Sequence, residues 1–279
     1  MIPFIEYNNN KNLDCHFIHA NGFPPLAYET LFTLLRDRTT IDSFYLRPLD
    51  KNLKNTVNEL KNWEIFSYDF IKTLNFNTKI IGMGHSIGGN IILRTAIRKP
   101  KYFSKLILLD PTLFIPTNIY LWKIIEKMSL QNKVHPWVKA TLNRKMVYND
   151  FNEIYNSYRK KKVFLNISDE NLKIYINSIT KTQDDKKLHI IYSKEWEHKI
   201  YKTGLIADMY IWRNIKKVTL PTLIIRPEES TAFYDSAANK IKKMNNPNID
   251  IITIEKSSHL FPLEKPEETS KKILSFITQ

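Results

Sequence analysis

Short apolar runs recur along the chain, separated by longer stretches in which apolar residues return every three or four positions. The runs fall at residues 15–19, 42–47, 79–83 (KIIGM), 105–110 (KLILLD), 222–226 (TLIIR) and 250–254 (DIITI). Runs this short, with little polar alternation, predict strands buried on both faces of a parallel sheet. Helical periodicity occupies residues 27–36, 57–74 and 87–98 between them. Strand–helix alternation of this kind predicts a doubly wound α/β fold, its mostly parallel central sheet flanked by helices through right-handed crossovers.

The alternation stops after Asp110-Pro111. Residues 118–130, 150–162, 168–180 and 204–215 read as helices, with no convincing strand series among them, and Pro111, Pro116 and Pro136 punctuate the start of this block. Strand rhythm resumes at Leu220-Pro221-Thr222. The expected organisation is a core of residues 1–115 and 216–279 and an inserted helical lid at 116–215. The insert is rich in tyrosine and tryptophan, most of them packing residues of small helices. A minority can line an apolar pocket over the carboxyl edge of the sheet, where α/β folds bind ligands. The stretch Tyr192-Ser193-Lys194-Glu195-Trp196-Glu197 sets charges beside a tryptophan and has no explanation from sequence. Asn8-Asn9-Asn10 reads as a turn.

The chain has 279 residues, 43% of them hydrophobic, which suits one large domain with an insertion. Its one cysteine, Cys15, excludes an internal disulfide and favours a reducing, cytoplasmic setting. The first residues lack a basic segment followed by an apolar one, so no signal peptide is expected. No apolar run approaches the roughly 18 residues of a membrane span. The formal net charge of +14 would attract nucleic acid, anionic membrane or acidic substrates. The basic residues are dispersed, however, which favours solvated faces, and no nucleic-acid-binding signature accompanies them. Recruitment to anionic lipid by a basic surface is the weaker idea. Neither a nucleic-acid partner nor membrane insertion is expected, and the oligomeric state is open.

Five of the six glycines fall in two stretches, His19-Ala20-Asn21-Gly22-Phe23 and Gly82-Met83-Gly84-His85-Ser86-Ile87-Gly88-Gly89. The second contains G-x-S-x-G between a predicted strand and a predicted helix, the pattern of a sharp turn that presents a serine hydroxyl at a helix N-terminus. A glycine-rich turn for close helix–sheet packing would look the same. So, nearly, would a dinucleotide-binding turn, with Asp110 ending the next strand as ribose partner, but the third glycine comes one position late for G-x-G-x-x-G. His259, in the loop after the last predicted strand, favours the serine reading. A hydroxyl needs a base to take its proton, and imidazole titrates near neutral pH. After the first strand, Gly22 lets the next backbone N–H face the site, so the N–H groups of Phe23 and Ile87 would form an oxyanion hole. His19 reads as structural. Cys15, His16 and His19 lack paired metal-ligand spacing and lie on alternating strand faces, so no metal site is expected.

Together these segments, with Leu220-Pro221-Thr222-Leu223-Ile224-Ile225 and His259-Leu260-Phe261-Pro262-Leu263-Glu264, resemble the α/β-hydrolase superfamily in its branch of lid-bearing serine hydrolases. The resemblance spans nearly the whole chain. It implies the α/β-hydrolase fold and hydrolysis of an ester, thioester or related acyl bond through an acyl-enzyme, without a cofactor. The expected substrate is a small, apolar acyl compound, with carboxylic ester hydrolysis as the leading activity. Serine at position 86 disfavours the dehalogenases and epoxide hydrolases, which carry aspartate there.

One departure from the family pattern matters. The acid is usually placed in a G-x-x-D turn after the strand corresponding to 222–226, and here the turn is Pro227-Glu228-Glu229-Ser230-Thr231, with serine at the aspartate position. Asp110 is the first substitute, because neighbouring strands lie about 4.8 Å apart and some members of the superfamily place the acid at this strand end. Glu229 and Glu228 are the alternatives. A chain with no acid at all would be a non-catalytic member of the fold that binds a small molecule or partner.

Overall fold

The computed structural model describes residues 14–279 apart from Lys51, Lys54, Phe76 and Ala207. The expected turn at Asn8-Asn9-Asn10 and the reading of the first residues lie outside the described residues. Nine strands occur among the described residues: β1 (Asp14–Ile18), β2 (Thr40–Phe44), β3 (Ile80–His85), β4 (Phe103–Leu109), β5 (Val147–Tyr148), β6 (Thr180–Thr182), β7 (Leu188–Ile190), β8 (Thr222–Glu229) and β9 (Ile249–Ser258). Six of them form the main sheet in the order β2-β1-β3-β4-β8-β9, every neighbouring pair parallel.

The apolar runs explain the layering. Successive strand side chains point to opposite faces. Phe17, Met83, Ile107 and Ile225 pack on one side with the helices Glu29–Leu35 and Pro266–Ile277. Ile18, Leu106, Leu108 and Ile224 pack on the other with Glu64–Ile71, Ile87–Arg98 and Asp235–Lys242. All six residues of β3 are buried. The connection from β1 leads outward to β2, while β3 lies on the other side of β1. A crevice therefore opens at the carboxyl ends of β1 and β3, the usual place for a ligand in an open α/β sheet.

Local departures have local causes. The single helix expected over 57–74 is a 3-10 turn, Val57–Glu59, followed by a helix over Glu64–Ile71 whose first N–H donates to the Asn62 side chain. Strand β8 continues past Pro227. Its pairing with β4 ends at Ile225, and beyond that it borders β9 alone, so a residue without an N–H is tolerated there.

Between β4 and β8 the chain leaves the main sheet. The helices Pro116–Lys127, Gln131–Val134, Pro136–Leu142, Phe151–Arg159, Asp169–Ile179, Lys194–Thr203 and Met209–Asn214 follow one another there. Asp150, Ser168 and Ser193 cap three of them with side-chain oxygens. This block also holds a three-stranded antiparallel sheet, β5-β7-β6, which the sequence did not suggest.

Candidate active site

Ser86 sits between β3 and the helix Ile87–Arg98 with φ 58° and ψ −119°, a left-handed conformation that a side chain rarely adopts. Its neighbours permit the turn. A Cβ on Gly84 would lie 2.4 Å from the Gly88 carbonyl carbon, and a Cβ on Gly88 would lie 1.9 Å from the Ile18 carbonyl oxygen. Only hydrogen fits at either place, so the G-x-S-x-G spacing follows from backbone crossing backbone. The Ser86 N–H donates to Leu109 O at 2.9 Å, and Ser86 O accepts from Asn90 and Thr112. The turn is thus bonded to both its own helix and β4. Ile87 opens the helix, so its N–H precedes the first intrahelical bond.

Asp110 follows the last residue of β4, fully buried, with φ 39°. Its Oδ2 lies 2.6 Å from His259 Nδ1, and its Oδ1 accepts from the Ser230 hydroxyl at 2.7 Å. Serine at the family's aspartate position therefore hydrogen-bonds a carboxylate that comes from the neighbouring strand. The same hydroxyl accepts from the N–H groups of Ala232 and Phe233 and so fixes its own loop. Glu228 and Glu229 are exposed. Glu228 accepts from the Lys256 N–H at 2.7 Å, and neither carboxylate bonds His259.

Ser86 Oγ is hydrogen-bonded to Thr112 Oγ1 at 3.1 Å. Ser86, Thr112 and His259 line one cavity of about 450 Å³, together with Gly22, Phe23 and Ile87. The Phe23 N–H closes a turn on Ala20 O at 3.1 Å. It is therefore not the free donor that the sequence suggested, because the turn that Gly22 makes at φ 78° brings Ala20 O beneath it. It can serve a second acceptor only by sharing its proton.

Sequence reasoning gave no role to His85, which is completely buried beside the Ser86 turn. Its Nε2 is 2.8 Å from the His259 carbonyl, which can only accept, so Nε2 carries the proton and Nδ1 accepts from Tyr28 OH at 2.7 Å. Burial, with His259 nearby, holds its pKa well below the ordinary value, which keeps the ring neutral. The residue before Ser86 thereby anchors the backbone of His259. His19, also buried, donates from Nδ1 to Ala20 O and accepts the Leu46 N–H at Nε2, as expected of a structural residue under the loop.

Burial pushes His19 down to about 4 from 6.5. Below pH 6.5 the unfolded chain takes up a proton there that the folded chain refuses, so this group withdraws stability as the pH falls to about 4. The loss is roughly 3 kcal/mol. In urea unfolding, the stability difference between wild type and His19→Gln should shift against the wild type by that amount between pH 7 and 4. A pH-independent difference would mean that His19 titrates normally.

One charged pair ties the insertion to the helix after Ser86, and a second lies within the insertion at the cavity wall. Asn90 Nδ2, on the helix Ile87–Arg98, reaches both Thr112 O and Asp208 Oδ1 at 2.7 Å, and Arg94 Nη2 lies 3.3 Å from Asp208. Burial pushes Asp208 up to about 7, against the pull of Arg94. Arg144 bonds Glu197 Oε1 within the cavity wall. This assigns a place to the charge beside Trp196. Burial raises the Glu197 pKa, and Arg144 opposes the rise. The remaining lining is largely aromatic and aliphatic, including Trp63, Phe114, Phe164 and Leu205, with Lys161 over the Tyr158 ring.

Residues 59–266 match the family described as serine aminopeptidase, S33. Over 287 aligned residues the chain is 22% identical to the uncharacterized hydrolase YugF of Bacillus subtilis (strain 168), covering 99% of this chain and 94% of that protein. The fold resembles that of E-2-(acetamidomethylene)succinate hydrolase, with TM-score 0.73, 20% identity, and coverage of 96% of this chain and 92% of that one. It also resembles the thioesterase domain from the curacin biosynthetic pathway, with TM-score 0.71, 14% identity and 98% of each chain covered. With the family match spanning well over half its length, the chain belongs to the S33 serine aminopeptidase family and is a hydrolase of α/β-hydrolase fold.

Proposed function

We propose that the protein is a serine hydrolase that cleaves esters, thioesters or related acyl bonds through an acyl-enzyme on Ser86. The observation that carries this reading is the 2.6 Å contact of the buried Asp110 with His259 Nδ1, at the cavity that the strained Ser86 also lines. Asp110 holds the Nδ1–H tautomer, leaving Nε2 to take the Ser86 proton. Ser86 Oγ first leaves Thr112 and turns toward His259, a tightening common between apo and substrate-bound enzymes. The Ile87 N–H, at the positive end of its helix, faces the developing oxyanion, with Phe23 as a shared second donor. His259 then protonates the leaving group and activates water for deacylation. The thioesterase and hydrolase names among the structural neighbours favour acyl substrates.

The insertion acts as the lid, and its apolar lining suits an apolar acyl or alcohol group. Tyr158 OH and Glu197 Oε2 are buried in the wall without a hydrogen-bond partner among the described residues, so a polar atom on the substrate would be satisfied there. A fluorophosphonate probe should label the purified protein on the peptide that contains Ser86. Labelling should slow in His259→Ala. Absence of labelling at Ser86 would reverse the assignment and favour a binding protein that keeps the fold.

A further inference from the structure

The helix Pro116–Lys127 turns Ile119 and Trp122 inward. Its outer side carries Tyr120, Leu121 and Ile124, followed one turn later by Met128, each between 55% and 62% exposed. Leu121, Ile124 and Met128 recur at intervals of three and four residues, so they stack on one face. The next two short helices add exposed Val134 and Trp137. Isolated exposed apolar residues are ordinary, but Leu121, Ile124 and the C-cap Met128 stacked on one face, with Tyr120 beside them, form a patch that marks an interaction surface.

The charge around the patch selects the partner. Between residues 116 and 142 stand Lys123, Lys127, Lys133 and Lys139, against the single carboxylate of Glu126. All four lysines are exposed. Lys123 Nζ lies 5.9 Å from the Tyr120 ring centroid. A second copy docking here would bring like charges together, and the chain as a whole carries +14. Trp137, on the second of those short helices, is exposed and also lines the cavity that holds Ser86 and His259.

We propose that this face docks on an anionic phospholipid bilayer, with Leu121, Ile124 and Met128 in the boundary between headgroups and acyl chains and the lysines on the headgroups. No described helix is long and apolar enough to cross a membrane, so this one would lie in the interface plane.

Co-sedimentation with vesicles of phosphatidylcholine, with and without phosphatidylserine, tests the proposal. It reads binding rather than turnover, so it stands or falls apart from the role of Ser86. At low salt the wild type should bind the phosphatidylserine vesicles about tenfold or more tightly than pure phosphatidylcholine, and added salt should weaken binding. The exposed change Ile124→Asp, and separately the pair Lys123→Glu with Lys127→Glu, should each cost about tenfold or more at unchanged thermal stability. Failure to bind, or binding indifferent to both variants, would overturn the proposal. So would a concentration-dependent dimer in light scattering that Ile124→Asp dissolves.

Discussion

Ser86→Ala is expected to lower kcat for a soluble ester by about 10⁶-fold, to the residual rate that binding and the oxyanion donors alone provide. Stability should hardly change. The variant loses the Thr112 contact, a single hydrogen bond worth about 1 kcal/mol, and keeps the backbone bonds to Leu109, Asn90 and Thr112 that define the turn. Alanine meets the same strain at φ 58° that serine already bears. Turnover and urea unfolding measured on one preparation separate lost chemistry from lost structure. Activity within tenfold of wild type in a folded variant would remove Ser86 from the mechanism.

Asp110→Asn carries the second largest expectation, a fall in kcat of about 10⁴ at neutral pH. The asparagine oxygen can still accept from Ser230, which turns the amide NH₂ toward His259 Nδ1. That nitrogen must then accept, the ring proton moves to Nε2, and the imidazole can no longer take a proton from Ser86. The geometry survives while the tautomer is wrong. Glu228→Gln and Glu229→Gln should stay within about twofold of wild type, because both side chains face solvent. A large loss in either glutamate variant, with Asp110→Asn active, would move the acid to the β8 turn.

The sheet was legible because six apolar runs carry the same message in periodicity and length, and each matches a strand to within a few residues. The Ser86 turn was legible for a different reason: glycine is so scarce in this chain that its clustering marks where backbones cross. The small sheet of the insertion was not legible. Strands of two or three residues are shorter than any period can establish, and Val147–Tyr148 reads as part of its surroundings. The buried charges were equally hidden. Arg94 and Asp208 lie 114 residues apart, and Arg144 and Glu197 lie 53 apart, so nothing local marks them as partners. Ser230 was noticed only as a missing aspartate. That it would instead donate to Asp110 depends on β8 lying beside β4, which no pattern within either strand expresses. His85 could have been suspected, since a histidine inside a fully apolar strand must find two partners or lose its place.

The order of the main sheet has a consequence for how the protein is made. Asp110 and His259 are 149 residues apart, and β8 meets β4 only after the whole insertion has been spanned. Contacts this distant in sequence must close a long loop and slow folding as a whole. The Ser86 turn is bonded to β4, whereas the Asp110 N–H and carboxylate are held by Ile225 of β8 and by Ser230 just after it, and the imidazole comes from the loop after β9. On the proposed roles of these three residues, a molecule in which β8 and β9 have not yet joined the sheet lacks its base and is expected to be chemically silent.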